Sequence, residues 1–302
     1  MSLIVLTGTT GYIGQNLTKL YNNKSKKNKS ISLRFQNWYK MMPQETDTII
    51  HLAAINHNPQ DSAFDEEYFR VNTELTSKLF RYFLNSSAKT FIFLSTTELV
   101  DKQVEEVTET SMVNPKNPFL QSKYDAEQFI VKHSLPEGKR AIILRVAPVY
   151  GREVKSNLHN TFSYCKKYPW FYGALNPKRS FCNIDNLTEI IYQITENQSI
   201  TSGIYNVADD DPIGSIQFVN WLSEVLEKKI TIYKVPKGLL LFVAKLGNMF
   251  NLDFNSKKLV EKSHSRIVIC DKLKKELQLL KMPIDTEQAV LKTIEYYNSI
   301  KI

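Results

Sequence analysis

The segment Thr7-Gly8-Thr9-Thr10-Gly11-Tyr12-Ile13-Gly14 constrains this chain more than any other. It follows an apolar run, Leu3–Thr7, that reads as a strand, and it opens an amphipathic stretch that reads as a helix. Three glycines spaced in this way at a strand-to-helix junction have separate tasks. Gly8 permits the tight turn, Gly11 lets backbone approach a pyrophosphate, and Gly14 lets the helix pack closely on the strand. With Thr10, Tyr12 and Ile13 completing the turn, the helix N-terminus offers unpaired N–H groups and partial positive charge to bound phosphates. The ligand that fits is a dinucleotide.

The rest of the first half agrees. Strand candidates Ser30–Arg34, Thr48–Leu52, Thr90–Ser95 and Ala141–Arg145 alternate with amphipathic stretches, the pattern of an α/β, doubly wound parallel sheet of the Rossmann type. Asp65–Asn85 sets Tyr68, Val71, Leu75, Leu79, Tyr82 and Phe83 at helical spacing. The connection Phe35–Asp47 is short and contains Pro43, so it has room only for an abbreviated helix. Beyond Gly151 the alternation breaks, and mostly helical patterning runs from Ile216 to Ile302, with a strand-like segment at Gly203–Ala208 returning to the main sheet. The predicted division is a dinucleotide-binding domain of residues 1–155 with 183–208 and a smaller substrate lobe of 156–182 with 209–302.

Composition narrows the function. A chain of 302 residues, 42% hydrophobic, supplies an ordinary core. The net charge of +8 comes from scattered lysines, apart from Lys24, Lys26, Lys27 and Lys29, which read as a solvated loop, so no nucleic-acid partner is expected. Cys165, Cys182 and Cys270 lack disulfide or metal-ligand spacing and read as buried thiols; no metal site is expected. The N-terminus has no basic signal region, and the longest apolar run, Leu239–Ala244, falls far short of the roughly 18 residues of a membrane span. A cytoplasmic protein without a membrane span is expected.

Dinucleotide folds that prefer NAD carry an acid at the end of the second strand, where it meets the ribose. This chain has Ser32-Leu33-Arg34, and Arg34 could pair with a 2′-phosphate in a forked contact. The cofactor is therefore NADP or NAD, with NADP favoured.

Several segments, in order, resemble the extended short-chain dehydrogenase/reductases of the NAD-dependent epimerase/dehydratase family. They are Thr7–Gly14, Asp47-Thr48-Ile49-Ile50-His51-Leu52-Ala53-Ala54, Val71-Asn72, Phe93-Leu94-Ser95-Thr96-Thr97, Ser122-Lys123 with Ala126-Glu127, and Leu144-Arg145 through Val149-Tyr150-Gly151. Arg179-Ser180-Phe181 with Ile184-Asp185-Asn186-Leu187 extends the match. The resemblance implies that Leu52, Ala53, Ala54, Asn72 and Ser95 line the cofactor. It implies a catalytic trio of hydroxyl, tyrosine and lysine. Tyrosine moves a proton at the sugar oxygen, lysine holds the cofactor ribose and lowers the tyrosine pKa, and the hydroxyl orients the substrate.

Thr97 aligns with the hydroxyl and Lys123 with the lysine, while the tyrosine position, four residues before Lys123 and on the same helical face, is Phe119. A phenyl ring carries no proton. Tyr124 points about 100° away on a helix and is no direct replacement. Thr97 acting through water, or a group on the substrate, would have to compensate. An engineered tyrosine-to-phenylalanine exchange made to trap a substrate is one reading of the departure; Leu120, where the family often has glycine, points instead to natural drift. His51 sits in a buried strand and reads as a core histidine.

By the same resemblance, Asn157 and Arg179 hold the diphosphate of a UDP-sugar, and a homodimer forms through a helical bundle that includes the helix of Lys123. Arg34, the chain length and Val235-Pro236-Lys237 leading into an apolar helix look most like bacterial UDP-4-keto-6-deoxy-N-acetylhexosamine reductases and UDP-sugar 4-epimerases of O-antigen or capsule biosynthesis. Two functions stay open: an NAD(P)-dependent UDP-sugar reductase or epimerase, and a catalytically silent dinucleotide-binding protein that serves as sensor or scaffold.

Overall fold

The computed structural model of the protein describes residues 3–56, 65–154, 157–173, 175–249 and 256–300. The first half runs β1 (Leu3–Thr7), α1 (Tyr12–Asn23), β2 (Asn28–Ile31), β3 (Thr46–His51), α2 (Asp65–Tyr68), α3 (Leu75–Asn85), β4 (Thr90–Thr96), β5 (Glu106–Val107), α4 (Pro118–Lys132) and β6 (Arg140–Val146). Next come β7 (Val149–Tyr150), α5 (Asn157–Lys167), β8 (Trp170–Tyr172), β9 (Lys178–Arg179), β10 (Cys182–Asn183), α6 (Ile184–Glu196) and β11 (Gly203–Val207). The remainder is β12 (Ile213–Gly214), α7 (Ser215–Val225), β13 (Thr231–Tyr233), α8 (Lys237–Met249), α9 (Ser256–Ser263), β14 (Ile267–Val268), α10 (Asp271–Leu277) and α11 (Thr286–Ser299).

Six parallel strands form the central sheet in the order β2-β1-β3-β4-β6-β11. The chain steps outward from β1 to β2 and then crosses to the other side of β1. The C-terminal ends of β1 and β3 thus lie side by side at the switch point, where ligands of open α/β sheets bind. Strand side chains alternate between the two faces, as the period of two requires. Ile4, Leu6, Ile50, Ile92, Ile142 and Leu144 meet Leu17 and Tyr21 of α1 and Leu187, Ile190 and Ile191 of α6. Val5, Ile49, Phe91, Phe93 and Ile143 meet Leu79, Phe80 and Phe83 of α3 and Ala126 and Ile130 of α4.

Three local expectations need correction. The second strand is Asn28–Ile31, not Ser30–Arg34, because its pairing with β1 ends at Thr7↔Ile31 and buried Leu33 and Trp38 then draw the chain into the core. Arg34 therefore sits in an exposed turn three residues past the strand. The helix expected over Asp65–Asn85 is broken by a wide, π-type turn at Phe69–Glu74, which turns Asn72 inward. Lys24 and Lys26 are not simply solvated: they pair with Glu189 (3.0 Å) and Glu196 (2.5 Å) on α6, and Lys24 lies over the Tyr192 ring.

A second core, built from Leu158 and Phe162 of α5, Phe218, Val219 and Leu222 of α7 and Val290 and Ile294 of α11, lies beside the C-terminal edge of the sheet. Val268, Cys270, Leu273 and Met282, although late in sequence, pack into the core of the sheet itself. All three cysteines are buried free thiols.

Candidate active site

At the switch point, Gly8 has φ +74°, and a Cβ there would lie 2.5 Å from the Ala53 nitrogen and 2.6 Å from the Leu52 carbonyl carbon. At Gly14 a Cβ would lie 2.3 Å from the Gly8 oxygen. Both positions admit only glycine, since backbone cannot move aside as a flexible side chain can. Gly11 caps α1 without any side-chain hydrogen bond, and Thr10 and Gly11 are exposed at the tip of the turn. The first amides of α1, from Tyr12 and Ile13 onward, are thus uncapped by any side chain and suit a diphosphate. The cradle fits the dinucleotide that the sequence implies.

A buried chain of polar groups runs from this turn to α4. Thr7 Oγ1 lies 2.7 Å from His51 Nδ1, and His51 Nε2 lies 2.8 Å from Thr76 Oγ1. Thr76 donates its proton to the Asn72 carbonyl at 2.7 Å. Its oxygen must then accept from His51 Nε2–H, which leaves Nδ1 to accept from Thr7. Burial pushes the His51 pKa down to about 3, in keeping with this neutral form, and the Lys123 charge adds to the effect. His51 is a core histidine. Asn72, 1% exposed, accepts from the Ile55 amide and donates to Ser122 Oγ at 3.0 Å, and Ser122 donates to the Phe119 carbonyl at 2.8 Å. Asn72 therefore fastens the loop after β3 to α4.

Asn117 starts α4 by accepting from the Leu120 amide at 2.8 Å, and Pro118 follows at the first helical position. This start places Phe119 and Lys123 one turn apart on the face turned toward the sheet. Lys123 is 5% exposed; its ammonium donates to the Leu94 carbonyl at 2.5 Å and lies 4.2 Å from the centre of the Phe93 ring. Burial lowers its pKa to about 8, against the opposing pull of Glu127. Glu127 itself is held by Arg145, which donates Nε–H at 3.1 Å and Nη2–H at 2.7 Å in a buried fork. Half-buried Phe119 packs edge-on against Tyr68, with centroids 5.8 Å apart.

The end of β4 carries three hydroxyls. Thr97 is 1% exposed and its Oγ1 sits 3.5 Å from the Val146 carbonyl, while the Ser95 hydroxyl is buried and has no partner among the described residues. Thr96 between them is half-buried; its Oγ1 accepts from the Glu98 amide at 3.2 Å and keeps its own proton for another partner. The sequence expectation falls on Thr97, the more buried of the two threonines.

Arg179 lies on β9, bridged through its main chain to Arg266, and the Arg179 charge contributes to lowering the Arg266 pKa behind the larger effect of burial. The guanidinium of Arg266 donates to the carbonyls of Thr97 (2.8 Å), Val100 (2.9 Å) and Asp101 (2.9 Å), so it clamps the loop that follows β4. Nothing in the sequence marked it. Asn157 opens α5, and its side chain lies outside the described residues. A cleft of about 460 Å³ between Gly151, Arg152, Asp185, Lys292 and Tyr296 leaves out Thr97, Phe119 and Lys123. Among the described residues, no helix is long and apolar enough to cross a membrane.

Residues 4–208 match the family model described as the NAD dependent epimerase/dehydratase family. The chain is 26% identical over 258 residues to a UDP-glucose 4-epimerase of Vibrio cholerae, covering 77% of this chain and 78% of that one. It is 23% identical over 193 residues to an N-acetyl-alpha-D-glucosaminyl-diphospho-ditrans,octacis-undecaprenol 4-epimerase of Escherichia coli O157:H7, covering 63% and 58%. Among solved structures, a UDP-N-acetylglucosamine 4-epimerase from Bacillus cereus superposes with a TM-score of 0.75 at 17% identity, over 99% of this chain and 100% of that one. A dTDP-4-dehydrorhamnose reductase from Bacillus anthracis in complex with NADP gives 0.72 at 16%, over 97% and 99%.

Proposed function

The chain belongs to the NAD-dependent epimerase/dehydratase family, and from that premise we propose that it is an NAD(P)-dependent enzyme that epimerises or reduces a UDP-sugar in bacterial surface-polysaccharide assembly. The observation that carries this reading is Lys123, buried beside the end of β4 and one turn from Phe119, on a helix tied by Asn72 to the cofactor loop.

The nicotinamide, when bound, accepts or gives a hydride at the sugar carbon. The turn from Gly8 to Gly14, with Thr10, Tyr12 and Ile13, binds the pyrophosphate, and Leu52, Ala53, Ala54 and Ser95 wall the dinucleotide. Lys123 keeps a positive charge next to the ribose, and Arg179 and Asn157 take the sugar diphosphate. A strand-end hydroxyl, Thr96 or Thr97, orients the reacting sugar oxygen. Phe119 shapes the pocket and excludes water but moves no proton, so turnover is slow or depends on a proton from the substrate or a water held by threonine. The same phenyl ring, anchored on Tyr68, favours one other reading: a silent dinucleotide-binding sensor or scaffold. The helix of Lys123 pairs two copies into a homodimer in either case.

Tryptophan-quenching titrations with NADPH, NADH and UDP-sugars, followed by product analysis, separate the two readings. Cofactor and UDP-sugar both bind an enzyme. Cofactor binding without UDP-sugar binding at millimolar concentration removes the catalytic reading.

A further inference from the structure

Helix α8 turns its apolar side outward. Leu239, Leu241, Phe242, Val243 and Met249 are 53%, 54%, 60%, 43% and 66% exposed, whereas Ala244 is fully buried. At 3.6 residues per turn four of these five, Leu239, Phe242, Val243 and Met249, fall within an arc of about 120°, with half-buried Leu246 among them, and Leu241 lies outside it. A stripe of this kind normally faces a core. Here the buried position, Ala244, lies on the other side of the helix.

The chemistry around the stripe says what covers it. Exposed Lys245 flanks it on the helix and exposed Lys234 precedes it. Between Lys234 and Lys262 the sequence holds six lysines against one aspartate and one glutamate. Tyr233, just before α8, is 52% exposed, and its ring lies 5.9 Å from that of Tyr172, itself 58% exposed and 5.2 Å from Trp170. Apolar side chains, lysine and amphipathic aromatic rings in one place are the ingredients of a helix that lies in the headgroup region of a bilayer. A second copy of the chain fits less well: a two-fold contact would set the lysines of one copy against those of the other. At 13 residues α8 is about 20 Å long, too short to span and long enough to lie in the plane.

We propose that α8 is an interfacial anchor that lays the Leu239, Phe242, Val243 and Met249 face on an anionic phospholipid surface. The inference stands on α8 and does not draw on the catalytic reading.

Co-sedimentation with vesicles tests it. The full chain binds phosphatidylglycerol/phosphatidylethanolamine vesicles at least about tenfold more tightly than vesicles of phosphatidylcholine alone, and salt weakens the binding. The double variant Phe242→Asp, Met249→Asp loses about tenfold or more, with far-UV circular dichroism unchanged. Should that variant fail to fold, Lys234→Glu with Lys245→Glu, two exposed positions, must weaken binding to the anionic vesicles alone. Absence of binding by the unaltered chain to anionic vesicles overturns the proposal, as does equal binding by folded variants. So does a solution dimer that Phe242→Asp dissociates in a chain that ignores vesicles; that result assigns the face to a second copy.

Discussion

Phe119→Tyr is the most direct test of the site. The introduced phenol stands one helical turn from Lys123, a separation of about 5 Å between the two side chains' bases. The positive charge of Lys123 on the same helical face stabilises the phenolate and moves the phenol pKa below its usual value of about 10. Lys123 titrates at about 8 itself, so near neutral pH the lysine is charged and the phenol holds its proton, the state needed to donate to a keto oxygen. General acid–base catalysis contributes about 10²–10⁴ in rate when the group is placed correctly, and the variant is expected to raise 4-keto-sugar reduction by at least about tenfold. The assay follows NADPH absorbance with a panel of UDP-4-keto sugars, with product analysis to detect epimerisation, which consumes no cofactor in net terms. The gain should diminish above pH 8 as both groups lose their protons. An unchanged rate in a variant that folds and binds NADPH as before refutes the reasoning: either another donor already acts, or the pocket no longer holds the sugar oxygen in reach.

Arg34→Ala should weaken NADPH binding and leave NADH nearly unchanged in fluorescence titrations; equal affinities for the two cofactors before substitution would sink the 2′-phosphate role. Arg266→Met strips three backbone carbonyls of a charged donor and should cost about 2–4 kcal/mol in urea unfolding, and in an active background it should lower kcat more than it raises KM, because the loop that it holds carries Thr97. A variant with unaltered stability would show that water replaces the clamp. His51 makes the fold acid-sensitive: the unfolded chain takes up a proton near pH 6.5 that the folded chain refuses until about 3, so stability falls as pH drops through that window by up to about 1.4 kcal/mol per unit. Asp209, raised to about 6 by burial, works in the opposite sense between about 4 and 6, so the His51→Gln variant is needed to isolate the histidine. Unfolding free energies measured from pH 6 to 4 should fall less with acid in that variant, or rise, the slope against pH being lower by about one proton because Asp209 then acts unopposed; parallel curves would remove the histidine from the account.

The parts of the molecule that were legible in sequence are those whose residue types leave no alternative. Gly8 and Gly14 sit where a Cβ would collide with backbone, and Lys123 keeps its spacing to Phe119 because a helix fixes that spacing. What escaped depends on partners distant in the chain. The end of β2 is set by its register with β1 and by Trp38 turning inward, neither of which local propensity records. Arg34 thus lies in a turn instead of a strand. The wide turn at Phe69–Glu74 is invisible in a pattern of apolar residues that continues through it, yet it positions Asn72. Arg266 clamps carbonyls as much as 169 residues away in sequence, and carbonyls have no sequence signature. The accessibility of Thr96 between buried Ser95 and Thr97 is only partly legible, because the chain leaves the strand at Thr97 for a short 3-10 turn.

The hydrogen-bonded chain from Thr7 through His51, Thr76 and Asn72 to Ser122 has a consequence for how this fold can change. It ties the glycine turn and α4 into one body, so the distance from the first amides of α1 to Phe119 and Lys123 is set by the protein. Exchange of tyrosine for phenylalanine at residue 119 leaves that scaffold untouched, because Ser122 grips the main chain there and not the ring. Under the proposed function, Phe119 differs from a tyrosine by one oxygen atom beside an intact lysine, and a single codon change separates the two.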